Sequence, residues 1–212
     1  MRPLEGITVV SLEQAVAAPF ATRQLADLGA RVIKIERPGT GDFARGYDAT
    51  VRGMSSHFVW LNRSKESLTL DLKRAEAKLV LHRLLENADV FLQNLAPGAI
   101  ERLGFGTPEL RKQYPRLIVC NLSGYGSSGP YRDKKAYDLL IQAETGLISI
   151  TGTSETPSKV GISIARSKRA PNLLSSGVTW HPLVSTVDPP PLLSPTTRSR
   201  AAPRAQTTSL LS

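Results

Sequence analysis

A single cysteine, three histidines and a low aromatic content (6%) remove several kinds of protein from consideration before any motif is sought. One cysteine excludes an internal disulfide and suits a reducing cytoplasm, the compartment expected here. Cys120 lies in the apolar run Leu117 to Leu122 and reads as a buried strand thiol rather than a nucleophile. His57, His82 and His181 stand alone, so neither a metal-ligand spacing nor a Ser-His-Asp set can be assembled, and no metal is expected. His82, on a helix of mixed face, reads as solvent-facing. No run of 18 apolar residues occurs, and none is expected to span a membrane. The first strand begins almost at once, so no signal or transit peptide is expected. Neither G-x-G-x-x-G nor G-x-x-x-x-G-K-[ST] is present.

The net charge of +9 is unevenly spread. Arg166, Lys168, Arg169, Arg198, Arg200 and Arg204 face only Asp188 after residue 165, so more than half of the excess belongs to the last stretch. Basic residues interleaved with aromatics are absent, which disfavours nucleic acid as a partner.

What is present begins with Leu4 to Asp42. Ile7 to Leu12 is a β-branched run of the kind found in buried strands. Pro19 fits the first turn of a helix, Phe20, Leu25 and Leu28 recur near helical spacing, and Gly29 supplies a stop. Val32 to Ile35 forms a second strand ending at Arg37-Pro38-Gly39. A strand, a crossover helix and a strand this close together imply a parallel pair.

The alternation continues. After an irregular segment from Asp42 to Asn62, strands are expected at Ser67 to Leu72, Asp89 to Leu92 and Leu117 to Leu122. Helices are expected over Ala75 to Asn87 (inward face Leu79, Val80, Leu84, Leu85), Pro97 to Leu103, Pro108 to Gln113, and Tyr137 to about Gly146. The fold class is therefore α/β, an open, mostly parallel sheet of Rossmann-like strand–helix–strand units, incomplete and followed by a tail. Ligands of such sheets gather beyond the carboxyl ends of the strands. Composition breaks at Ala165–Arg166. Residues 166 to 212 hold Pro189 to Pro191 and no glutamate, and read as a disordered Pro/Ser/Thr-rich tail. The break is abrupt enough to suggest a shifted reading frame or alternative splicing, giving domains 1–165 and 166–212.

The segments "DLGARVIKIERPGTGD", "NRSKESLTLDLK", "NLAPGAIERLG", "NLSGYGSSGPY" and "AYDLLIQAETGLISITG" together resemble the N-terminal part of the class III CoA-transferases, the CaiB/BaiF family. The resemblance covers residues 4 to about 165. It implies coenzyme A as a substrate, acyl-CoA and carboxylic acid partners, and an interlocked homodimer.

By residue-by-residue match, the resemblance places Arg37, Leu70, Asp71, Leu72, Lys73, Asn94, Leu95 and Arg102 on positions that hold the nucleotide end of CoA. Tyr125 falls near its pantetheine and acyl end. An arginine closing a strand suits phosphate, to which it offers a planar fork of donors. Ser123 and Val16 replace a lysine and a glutamine of formyl-CoA transferases, which disfavours oxalate-type specificity. Ala136-Tyr137-Asp138 replaces the Gly-His-Asp of acyl-CoA racemases, a weaker alternative that lacks its base. The family's transferases attack the thioester with an aspartate, and that position is occupied here by Arg166. The expectation is a truncated, inactive transferase, or a non-catalytic CoA-binding or interaction protein.

Overall fold

A computed structural model describes residues 1–161 and the backbone of one further strand at Val178–His181. The sheet forms from β1 (Thr8–Leu12), β2 (Arg31–Glu36), β3 (Glu66–Thr69), β4 (Val90–Gln93), β5 (Ile118–Leu122) and β6 (Val178–His181), in the order β3-β2-β1-β4-β5-β6. The first five are parallel, and β6 pairs antiparallel with β5. β6 falls within the stretch read as a tail, whose remainder lies outside the described residues. β1 is central, with β2 on one side and β4 on the other, so the strand order reverses there. A crevice opens above such a reversal.

Helices α1 (Ala17–Asp27), α2 (Ser56–Asn62), α3 (Ala75–Leu85), α4 (Ala99–Leu103), α5 (Thr107–Gln113) and α6 (Asp138–Glu144) connect the strands. The expected units are all there, but two inward faces differ from those expected. In α1 the small residues Ala18, Thr22 and Ala26 are buried, whereas Phe20 and Leu28 are exposed. The buried face is a row of small side chains, so helical spacing of the large residues alone misplaced it. In α3 the buried residues are Leu81 and Leu85, with Leu84 packed beside them, and Leu79 and Val80 are exposed. The i, i+4 pair decides which face turns inward. Gly29 stops α1 as expected, at φ +108° with its N–H on the Ala26 carbonyl.

The segment from 42 to 62 is more ordered than its composition suggests. Asp42 caps a 3₁₀ turn at Phe43–Gly46, its side chain accepting from the Ala44 N–H. Ser55 caps α2 in the same manner through the Phe58 N–H. Asp48 braces the connection by accepting from the Ser56 N–H at 2.9 Å and from the Ser56 hydroxyl at 2.8 Å. A seven-residue helix defined by its cap leaves little periodicity to read.

One core cluster joins Val10, Leu12, Ile33, Ile35, Phe91 and Val119 of the sheet to Leu81, Leu85, Ile100 and Leu110 of the helices. Cys120 is buried on β5, as expected of a strand thiol. His82 is not solvent-facing. Its Nδ1 lies 2.8 Å from the Tyr114 hydroxyl and its ring stacks 4.7 Å from Phe105. No helix among the described residues is long and apolar enough to cross a membrane.

Candidate functional site

Strands of a parallel sheet covered on both faces have no solvated side, so a charge on them must find a partner. Besides the exposed Arg31, β2 carries two buried charges, Lys34 and Glu36. The Lys34 ammonium donates to Asp42 Oδ2 at 2.6 Å and to Asn62 Oδ1 at 2.8 Å, with Glu13 Oε1 at 3.9 Å. Glu13 in turn accepts from Lys65 Nζ at 2.7 Å and from the Thr22 hydroxyl at 2.6 Å. Lys65 also donates to the Pro19 carbonyl and to Asn62. Burial, opposed by the Glu13 carboxylate, lowers the Lys65 amine to about 8.

Glu36 faces a second set. It accepts two bonds from Arg45, at 2.9 and 2.7 Å, one from Ser67 at 2.6 Å and one from the Asp42 N–H at 2.9 Å. Burial alone would raise this carboxyl. The four donors and the nearby Lys34 charge prevail and hold it at about 2. Arg45 is further fixed by stacking 3.8 Å from the centre of the Phe58 ring.

These groups shape the loops at the carboxyl ends of the strands. Asp42 Oδ1 accepts from the N–H of Ala15 at 3.0 Å and of Ala44 at 2.9 Å. Ala15 adopts a left-handed φ of 63°, unusual for a residue with a Cβ, and the Asp42 bond holds it there. An open cleft of about 200 Å³ lies alongside, lined by Glu36, Arg37, Gly39, Gly41, Arg45, Ser67 and Thr69. The turn at Gly41, with φ +60°, is tight enough that a Cβ would meet Glu36 Oε1 at 2.8 Å.

Most of the residues expected to hold a nucleotide come to this one edge. Arg37 follows β2 and is exposed at the cleft, donating to the Gly41 carbonyl at 3.0 Å and to Gln14 Oε1 at 2.8 Å. Both partners are neutral, and among the described residues they take two of the five guanidinium N–H groups. Residues 70–73 follow the adjacent strand β3. Leu70 and Leu72 pack on the core, so the turn offers its backbone and the exposed Lys73. Arg102, exposed on α4, folds back over Gly98, where an added Cβ would lie 2.7 Å from its terminal nitrogen.

Three members of the expected set are otherwise engaged. Both ends of the Asn94 amide bond to the Gln14 backbone, at 2.8 and 2.9 Å. Leu95 packs against the core cluster, and its N–H donates to Gln93 Oε1 at 2.7 Å. Tyr125, after β5, donates to Glu144 at 2.5 Å and meets Tyr131 edge-on. Burial and the Glu144 carboxylate push the Tyr125 phenol up to about 12. Arg166 lies outside the described residues. Glu13, Gln14, Lys34, Glu36, Asp42, Arg45 and Lys65 were not anticipated. The charges in Val32-Ile33-Lys34-Ile35-Glu36 were the available signal, since a strand with both faces covered cannot carry them unpaired.

The sequence model of CoA-transferase family III matches residues 4–179. The chain belongs to this family. Among relatives of family III, the acetyl-CoA:oxalate CoA-transferase of Acetobacter aceti is 42% identical over 160 residues, covering 75% of this chain and 41% of that one. The human succinyl-CoA:glutarate CoA-transferase is 35% identical over 185 residues, covering 87% of this chain and 42% of that protein. Among solved structures, a hypothetical protein of Mycobacterium tuberculosis superposes with a TM-score of 0.71 at 38% identity, covering 77% of this chain and 46% of the other. A CaiB/BaiF family protein of Brucella suis gives 0.71 at 34% identity, covering 76% and 44%. The chain thus spans about two fifths of the length of these curated relatives. Among the described residues no group of three or more His, Cys, Asp or Glu could hold a metal ion.

Two measurements test the buried charges. Lys34→Met leaves Asp42 buried without its cation and is expected to cost about 3–5 kcal/mol in urea unfolding; a loss below about 1 kcal/mol contradicts the assigned pairing. The Glu36 carboxyl lies below its ordinary value of 4.5, at about 2. Its contribution is therefore complete above pH 4.5 and is lost as pH falls through 2. Allowing for partial solvent screening, it amounts to about 2 kcal/mol. Unfolding free energy measured against pH should fall less steeply across that window in Glu36→Gln than in the parent.

Proposed function

We propose that this chain binds coenzyme A at the carboxyl edge of its sheet, as the nucleotide-holding part of an enzyme that moves CoA from an acyl-CoA to a carboxylic acid. Arg37 carries the reading: an exposed guanidinium at a cleft, held by two neutral acceptors and so still charged toward a phosphate. Lys73 and Arg102 add positive charge at the same edge. The turn at Leu70, Asp71 and Leu72 lies beside them, Asn94 and Leu95 shape the same edge with their own N–H groups already taken by the Leu12 carbonyl and Gln93, and Tyr125 borders the acyl end. Relatives named for oxalate and glutarate support dicarboxylates as the class of acid.

The family resemblance implies transfer through an aspartate that attacks the thioester carbonyl, releasing CoA thiolate and leaving an enzyme-bound anhydride. We infer that these 212 residues bind CoA without transferring it, because the resemblance assigns the position of that carboxylate to residue 166, which is an arginine. Glu155 precedes the segment, and the next acid is Asp188.

Arg37→Ala should weaken CoA binding by about 1.5–3 kcal/mol in calorimetry, the range of a charge-assisted hydrogen bond. Equal affinity in parent and variant would remove Arg37 from the site. In a transfer assay over a panel of acyl-CoA donors and carboxylate acceptors, neither the parent nor Arg166→Asp should turn over. A nucleophile must be held to within about 0.5 Å, and Pro171 would interrupt a helix begun at 166. Turnover by the parent would mean the nucleophile lies elsewhere; turnover by Arg166→Asp alone would mean that a carboxylate at 166 suffices.

A further inference from the structure

Asn94, Gln14 and Arg37 close three different strands, β4, β1 and β2, on either side of the point where the strand order reverses. The Asn94 amide accepts from the Gln14 N–H at 2.8 Å and donates to the Gln14 carbonyl at 2.9 Å, so it grips one peptide segment as a neighbouring strand would. The Asn94 N–H continues the ladder to the Leu12 carbonyl at 3.2 Å. Asp42 holds the following residue, Ala15, from the other side. With its backbone clamped, Gln14 extends its side-chain oxygen to the Arg37 guanidinium at 2.8 Å, and the Gly41 carbonyl takes Arg37 Nε at 3.0 Å.

We propose that Asn94 and Gln14 form a positioning relay that presents Arg37 to the phosphates of CoA, with the Asn94 side chain acting through Gln14 and not on the ligand. The inference rests on Arg37 as a phosphate contact. Its chemistry follows from the residue types. An exposed arginine left untethered must be ordered when a ligand binds, and a tether in place beforehand removes part of that cost. A glutamine oxygen is a neutral acceptor, so it fixes the guanidinium without cancelling the charge a phosphate needs. Asparagine carries one donor group and one acceptor on a short stem, which is what gripping both the N–H and the C=O of one residue requires.

The test is a double-mutant cycle on CoA affinity, with thermal unfolding of every variant. Gln14→Ala and Asn94→Ala should each weaken CoA about three- to tenfold when Arg37 is present, as expected for losing one net hydrogen bond of preorganisation. Combined with Arg37→Ala, each should cost less than about twofold further, because no tethered group remains to be presented. Full-sized losses in the Arg37→Ala background would show direct contact with CoA and overturn the relay. Unchanged CoA affinity with Arg37 present, whatever the change in melting temperature, would reduce both residues to a structural role and overturn it equally. If Arg37→Ala itself leaves CoA affinity unchanged, the underlying CoA reading fails and the relay fails with it. The Gln14 side chain is partly exposed, so Gln14→Ala is expected to fold; should Asn94→Ala not fold, the Gln14 arm decides alone.

Discussion

The Lys34–Asp42 ion pair is the contact on which the loops at the carboxyl edge of the sheet depend. Both groups are buried, one on the second strand and one capping the 3₁₀ turn beyond it. The cost of desolvating them is offset only because each carries further bonds: Lys34 to Asn62, and Asp42 to two backbone N–H groups. Those extra bonds carry the structural information. One draws α2 down onto the sheet, another sets the left-handed turn at Ala15, and a third starts the 3₁₀ turn that carries Arg45. Removing the lysine would therefore loosen three loops at once.

Glu13 with Lys65 and Glu36 with Arg45 extend the frame to either side. Lys65 ties the segment before β3 to the start of α1. Arg45 and Ser67 tie the cleft wall to β2. The result is a rigid polar floor below strand ends whose outward groups (Arg37, Lys73 and Arg102) remain exposed. This division suits a scaffold that receives an anion: paired charges below and, above, cations that meet no carboxylate among the described residues.

Much of the architecture was legible in the sequence because strand and helix periods alternate so regularly from Ile7 to Gly146. The parallel order followed from that alternation. Less legible was anything set by small side chains or caps. Ala18, Thr22 and Ala26, not the larger Phe20 and Leu28, face the sheet. α2 is specified by Ser55 and by Asp48, with no apolar stripe to show it. At the candidate site, the arginine closing β2 was readable as a side chain at the strand ends, and the structure puts it at the cleft, whereas the Asn94 amide, expected to face a ligand, is bonded to Gln14. A single sequence shows which groups can hydrogen-bond, and only the fold shows which partners are already taken.

On the proposed function, coenzyme A binds across the loops this buried frame holds in place. Amide hydrogen exchange of the whole chain with and without CoA tests it most directly. Bound CoA should slow exchange at residues 14–16, 37–42 and 70–73, and leave α5 unchanged. Protection confined to other segments, or no change at saturating CoA, would contradict the account.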